Sequence, residues 1–171
     1  MYRRYIAGSA LFFLGIMWTI PITHFLIVSV LPVSLRDPEA WTTRIYYPAA
    51  IASVISYVFS LFSWILYSYS KRINGFYEAM AEFPRWFACL VAALCSNFFW
   101  LYFFVTTQVA PMQGNNGLPS ISDSPPYDYL IPLMLINLAL LFWLPSCFLS
   151  QRSLRNIPWL SYRVRSLIGL Q

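Results

Sequence analysis

The chain has 171 residues, of which 59% are hydrophobic and 19% aromatic while only 10% carry charge, whereas a soluble domain is about a quarter charged. So little polar surface excludes an ordinary soluble globular domain, and a mean hydropathy of +0.60 points to a lipid environment. The formal net charge of +5 lies between the apolar runs, so it reads as a topology signal and excludes neither membrane face, but it carries no nucleic-acid motif.

Four runs without a single Asp, Glu, Lys or Arg, at about 5–31, 46–69, 86–107 and 129–149, organise the chain. A bilayer-crossing helix needs about 20 mostly apolar residues and must satisfy every backbone group internally. The predicted fold is therefore all-α, a four-helix transmembrane bundle forming one membrane domain. The first run follows Arg3 and Arg4, as a secretory signal would, but it exceeds the roughly 7–15 residues of a signal core. No small-x-small cleavage pattern stands out at Val30-Leu31-Pro32-Val33, and we read the run as a retained span. Pro21 lies in its middle and predicts a kink whose freed carbonyl is satisfied by Thr19, Thr23 or a neighbouring helix. His24 is the one histidine, and a metal site wants three or four ligands. Cys89, Cys95 and Cys147 sit inside the third and fourth spans without a Cys-x-x-Cys pattern, so neither metal nor cofactor is expected. His24 is then a packing residue, or a contact sensitive to pH.

The first loop, roughly Pro32–Tyr47, contains a helix-start pattern at Asp37-Pro38-Glu39, and Trp41, Tyr46 and Tyr47 suit a membrane interface. Arg36, Asp37 and Trp41 are its candidate contact residues. Along the second span, Ala49, Ala52, Ser53, Ser56, Ser60 and Ser63 recur three or four apart, predicting a face on which another helix approaches closely. Ala88, Ala92, Ala93 and Ser96 of the third span, or Gly8 and Gly15 of the first, are suitable partners. Ser56 and Ser60 are the candidate packing residues of this face, and a serine-lined pore is the functional alternative. Lys71–Arg85 places Ile73, Phe76, Tyr77, Met80 and Phe83 at helical spacing beside Glu78 and Glu82, which predicts a short amphipathic helix at the surface.

Asn97 in the third span and Asn137 in the fourth are the strongest polar groups within the apolar runs, and both suit interhelical hydrogen bonding. Between those spans, Gln108–Asp128 carries Asn116-Gly117 and Pro125-Pro126, so an irregular exposed loop is expected, with Asp123 as a candidate contact. Pro48 and Pro132 fall in first turns, where a missing donor is harmless, and Pro145 bends or ends the fourth span. The tail 151–171 mixes Arg152, Arg155, Arg163 and Arg165 with Ile157, Trp159, Leu160, Val164, Leu167 and Ile168, as suits a basic amphipathic segment on an anionic leaflet.

Basic residues in short flanking loops stay cytoplasmic. The amino-terminus, second loop and tail hold nine of the eleven Lys and Arg residues with Glu78 and Glu82, whereas the other two loops hold Arg36 and Arg44 with four acids. Both ends are thus expected in the cytoplasm, which requires an even number of spans. There is no phosphate-binding Gly-Lys-Ser loop, no His-Glu-x-x-His, no Gly-x-Ser-x-Gly and no carboxylate within a span. The outward loops also lack the cysteine pairs of disulfide-forming membrane oxidoreductases. A non-enzymatic role is expected.

Four spans with both ends inside, the basic Lys71-Arg72-Ile73-Asn74 turn and a polar loop before the fourth span extend over roughly Arg44 to Arg155. In layout this resembles the small inner-membrane immunity proteins that protect bacteria from pore-forming colicins of the colicin A type. Prophage superinfection-exclusion proteins of the inner membrane are similar. The resemblance implies lateral contact in the bilayer, with helices or outer loops engaging an incoming toxin or a DNA-entry apparatus. The expected partners are the lipid bilayer and another membrane or membrane-inserting protein, with no direct nucleic-acid binding. An accessory or assembly subunit of a larger membrane complex is the alternative, and a small-molecule transporter, disfavoured by the lack of ionisable groups in the spans, is the third.

Overall fold

A computed structural model describes residues 2–30, 39, 42–73, 75–114, 127–154, 157–158 and 160–167. Among them every regular element is helical. Four helices are long and apolar enough to cross a membrane, over Arg3–Val30, Tyr47–Ser70, Phe76–Trp100 and Ile131–Leu149. Such sequences form helices because a segment without polar side chains can satisfy its backbone N–H and C=O groups only through its own i to i−4 ladder. Successive long helices run antiparallel. Gly8 lies against Leu149 and Gly15 against Leu141, and Ser56 of the second helix pairs with Ser96 of the third.

Wide π-helical turns occupy Trp18–Ile22, Leu26–Val30, Thr42–Tyr46 and Ala139–Trp143. The first contains Pro21, and the sequence places Pro32, Pro48 and Pro145 two residues beyond the ends of the other three. A proline ring clashes with the carbonyl four residues earlier. For these three prolines that carbonyl belongs to the preceding wide turn; at Pro48 and Pro145, where the helix continues, the extra residue per turn moves it aside, and Pro32 lies outside the described residues. Beside Pro21, Thr23 Oγ1 donates to the Trp18 carbonyl at 2.8 Å and Tyr46 Oη to the Thr19 carbonyl at 2.6 Å, but the carbonyl that loses its donor to a proline at 21 is that of Met17, so these bonds do not replace the missing one.

Three expectations are revised. Pro132 lies inside the helix Tyr127–Leu138 rather than in its first turn, because that helix begins earlier than the apolar run. The helix Phe83–Gly114 continues through Pro111 into what the turn residues predicted to be loop. In the second loop only Phe76–Met80 forms a separate helix, with Phe76, Tyr77 and Met80 exposed, and Ile73 and Ala79 buried.

The second and third helices pack closely, the first packs along the fourth, and the fourth also touches the second, whereas the third and fourth meet sparsely. The predicted face on the second helix holds in part. Ala49 and Ser53 are buried and Ala93 of the third helix is fully enclosed, while Ser63, Ala88 and Ala92 are exposed. Gly8 and Gly15 serve the fourth helix and not the second. At the end carrying Lys71 and Arg85, the core continues below the helices. Leu154 and Ile157 are buried in one cluster with Tyr57, Trp64, Trp86 and Phe142. The start of the tail therefore closes the bundle, and its described helix is Ser161–Leu167.

Candidate functional site

Polar side chains inside an apolar bundle either hold it together or serve a ligand, and their partners decide between the two. Near the end of the bundle where the first helix meets the second and fourth, Thr19 Oγ1 donates to the Gly15 carbonyl at 2.8 Å and is 3.1 Å from Asn137 Oδ1. Thr19, Thr23, Tyr46 and Asn137 are all buried. Threonine takes this position readily because its hydroxyl can return to a carbonyl of the preceding turn and still reach across the interface. A cavity of about 20 Å³ adjoins this group, bounded by Tyr46, Ala49, Ser53, Asn97, Met134 and Asn137.

Asn97 and Asn137 both face that cavity, and Asn137 Oδ1 lies within hydrogen-bond distance of Thr19 Oγ1. Asn97 Nδ2 is buried without a partner among the described residues, as is the Tyr57 hydroxyl. Asn137→Leu is therefore expected to destabilise the protein in detergent by about 1 kcal/mol, by removing the amide that Thr19 Oγ1 meets across the interface. Asn97→Leu, which removes an amide nitrogen without a hydrogen bond of good geometry, is expected to cost less than Asn137→Leu. Thermal unfolding of both variants in one detergent checks this, and a larger loss for Asn97→Leu than for Asn137→Leu would refute it.

Of the other expected contact residues, His24 is half-buried with its ring stacked on Tyr47, centroids 5.2 Å apart and planes within 6°. Its Nδ1 is buried without a partner among the described residues. Ser56 Oγ accepts from Ser96 Oγ at 2.7 Å and donates to the Ala52 carbonyl at 3.0 Å. Ser60 is half-buried on the same helix. Arg36, Asp37, Trp41 and Asp123 lie outside the described residues. The structure thus brings Asn97 and Asn137 to one cavity, joins Ser56 to the third helix, and leaves His24 apart against Tyr47.

At the opposite end lies a second polar cluster that the sequence did not reveal. Glu82, expected on the polar face of a surface helix, is 2% exposed. Lys71 and Arg85 form ion pairs with its two carboxylate oxygens, and Tyr67 Oη donates to it at 2.6 Å. The hydrogen bond to Glu82 holds the Lys71 ammonium above its ordinary pKa. Two indoles tie this end to the fourth helix: Trp64 Nε1 donates to Ser150 Oγ at 2.7 Å and Trp86 Nε1 to Ser146 Oγ at 3.1 Å. The signal for Glu82 was its position between Lys71 and Arg85. Nothing in the local pattern marks Ser146 or Ser150 as the acceptors of particular tryptophans.

Among the described residues no group of three or more His, Cys, Asp or Glu side chains is placed to hold a metal ion. No protein-family model, no curated protein and no solved structure matches the chain. What the buried polar groups can do chemically is bind helix to helix. The larger concavity is apolar and lies between the third and fourth helices, lined in part by Phe83, Trp86, Phe87, Leu135 and Trp143.

Proposed function

We propose that this chain is a multi-pass inner-membrane protein with both ends in the cytoplasm, acting without catalysis as an exclusion or immunity factor. Its helices touch an incoming pore-forming toxin or a phage DNA-entry apparatus in the bilayer and block the productive state. The observation that carries the reading is the division of labour between inside and outside. Interior polar groups such as Thr19, Asn137, Trp64 and Trp86 are engaged in tying helices together. Phe13 and Phe25 on the first helix and Phe98, Phe99, Tyr102 and Phe103 on the third are exposed on its outside. An outer surface of that kind offers shape and apolar contact, which is how helices recognise one another in lipid.

Expression in bacteria sensitive to a panel of pore-forming colicins and phages is the direct test. Protection from one toxin, or a block to DNA entry by one phage, is expected to exceed about tenfold, equivalent to about 1.4 kcal/mol of differential contact. Unaltered killing and unaltered DNA entry across a broad panel, with the protein present in the membrane fraction, would reject the reading.

A further inference from the structure

Near the basic end of the molecule, where the third long helix begins and the fourth runs toward its end, a cleft of about 530 Å³ lies between the two. Its walls are apolar throughout, with Phe83, Trp86 and Phe87 on one side and Leu135, Leu138 and Trp143 on the other, and Leu160 at its mouth. A gap of this size within hydrocarbon forfeits the dispersion contacts of every wall atom unless something fills it.

Size separates the occupants. A helix about 10 Å across displaces roughly 80 Å³ per ångström of length, so the cleft would take little more than one turn of a partner helix. A methylene chain with carbon contacts near 4 Å has a cross-section of roughly 20 Å² and would extend about 25 Å through the same volume. That is the equivalent of one to two acyl tails in a leaflet about 15 Å deep.

Charge at the mouth selects the headgroup. Arg163 is exposed one turn beyond Leu160, whose carbonyl accepts from Val164 N at 3.1 Å. Leu160 itself has φ 61°, a left-handed conformation that a branched-γ side chain adopts at a cost, and it turns the chain at the cleft mouth.

We propose that this cleft is a binding site for one phospholipid with an anionic headgroup, its tails between the third and fourth helices and its phosphate beside Arg163. The site rests on the bilayer placement of the chain and is independent of the exclusion or immunity reading. A protein that binds the lipid yet protects against nothing would separate the two.

Native mass spectrometry of the full chain in mild detergent, with equal amounts of dioleoyl phosphatidylglycerol and dioleoyl phosphatidylcholine added, tests it. One phosphatidylglycerol is expected to remain bound, with about tenfold preference over phosphatidylcholine. Arg163→Glu, a change on the exposed surface, is expected to remove most of that preference. Ala139→Trp, which fills the cleft from the fourth helix, is expected to abolish retention of either lipid while circular dichroism reports an unchanged helical content. If Ala139→Trp unfolds, Leu135→Phe in the same wall and Arg163→Glu still decide the matter. Equal retention of the two lipids, retention unaffected by Arg163→Glu, or a dimer without lipid would each overturn the proposal.

Discussion

Gly15→Leu is expected to separate the first helix from the fourth and to abolish cooperative unfolding of the bundle in detergent. A Cβ at position 15 would lie 2.8 Å from Leu141 Cδ2 and 3.1 Å from the carbonyl carbon of Leu140. The leucine side chain could rotate away, but the backbone of a packed helix cannot, so even Gly15→Ala is expected to cost about 1–3 kcal/mol. The larger side chain must push the whole helix outward. Thr19, one turn along, then loses Asn137, and the Tyr46 bond to the Thr19 carbonyl is strained with it. Gly8 provides the internal comparison. Its added Cβ would meet Leu149 side-chain atoms at 2.8 Å, and no backbone atom is among its nearest neighbours, so Gly8→Ala is expected to be milder than Gly15→Ala. Thermal unfolding, together with cysteine crosslinking between the first and fourth helices, measures both effects. Wild-type stability and crosslinking in Gly15→Leu would show that the two backbones do not meet closely at Gly15.

Trp64→Ala is expected to destabilise the protein by about 3–5 kcal/mol, the range for removing a buried aromatic side chain. The residue is 1% exposed and lies in the core cluster with Tyr57, Trp86 and Leu154. Its indole also donates to Ser150 Oγ at 2.7 Å, linking the second helix to the end of the fourth. Packing and hydrogen bonding separate through Trp64→Phe, which keeps most of the ring volume and removes the donor. Ser150 Oγ still donates to the Ser146 carbonyl, so the phenylalanine variant should lose only about 1 kcal/mol. Equal losses in the two variants would place the whole effect in the hydrogen bond and contradict the packing account. The tail responds in the same experiment: Leu154 belongs to this cluster, so protease cleavage after Arg152 should accelerate in Trp64→Ala and stay slow in Trp64→Phe.

The interior polar seam was partly legible in advance. Asn97 and Asn137 stood out because an amide in a charge-free apolar run is costly unless it finds a partner. Thr19 and Thr23 stood out because they flank Pro21. The pairing of Thr19 with Asn137 was not legible, since the two residues lie 118 positions apart and helical periodicity carries no information about which helix faces which. For the same reason Gly8 and Gly15 announced a close approach but not its partner. Their small size suited the second helix as well as the fourth, and only assembly gave them to the fourth. Glu82 was misplaced because amphipathic spacing assigns charges to the outside. Once Lys71 and Arg85 converge on it from two directions, its carboxylate is held by two cations and the Tyr67 hydroxyl, and its burial is compensated.

By itself, the sequence determined that the chain forms long apolar helices, where those helices lie, and which of their positions are small or polar. These are local properties, since an apolar segment must close its own backbone hydrogen bonds and a missing side chain is visible in one position of the string. The tertiary structure alone decided the neighbours: the first helix against the fourth, Leu154 and Ile157 of the tail inside the core, and the third and fourth helices parted by a cleft. In an apolar medium nearly any face of such a helix can be buried at similar cost, so the choice among faces falls to steric fit at residues such as Gly15 and to a few hydrogen bonds between residues far apart in the chain.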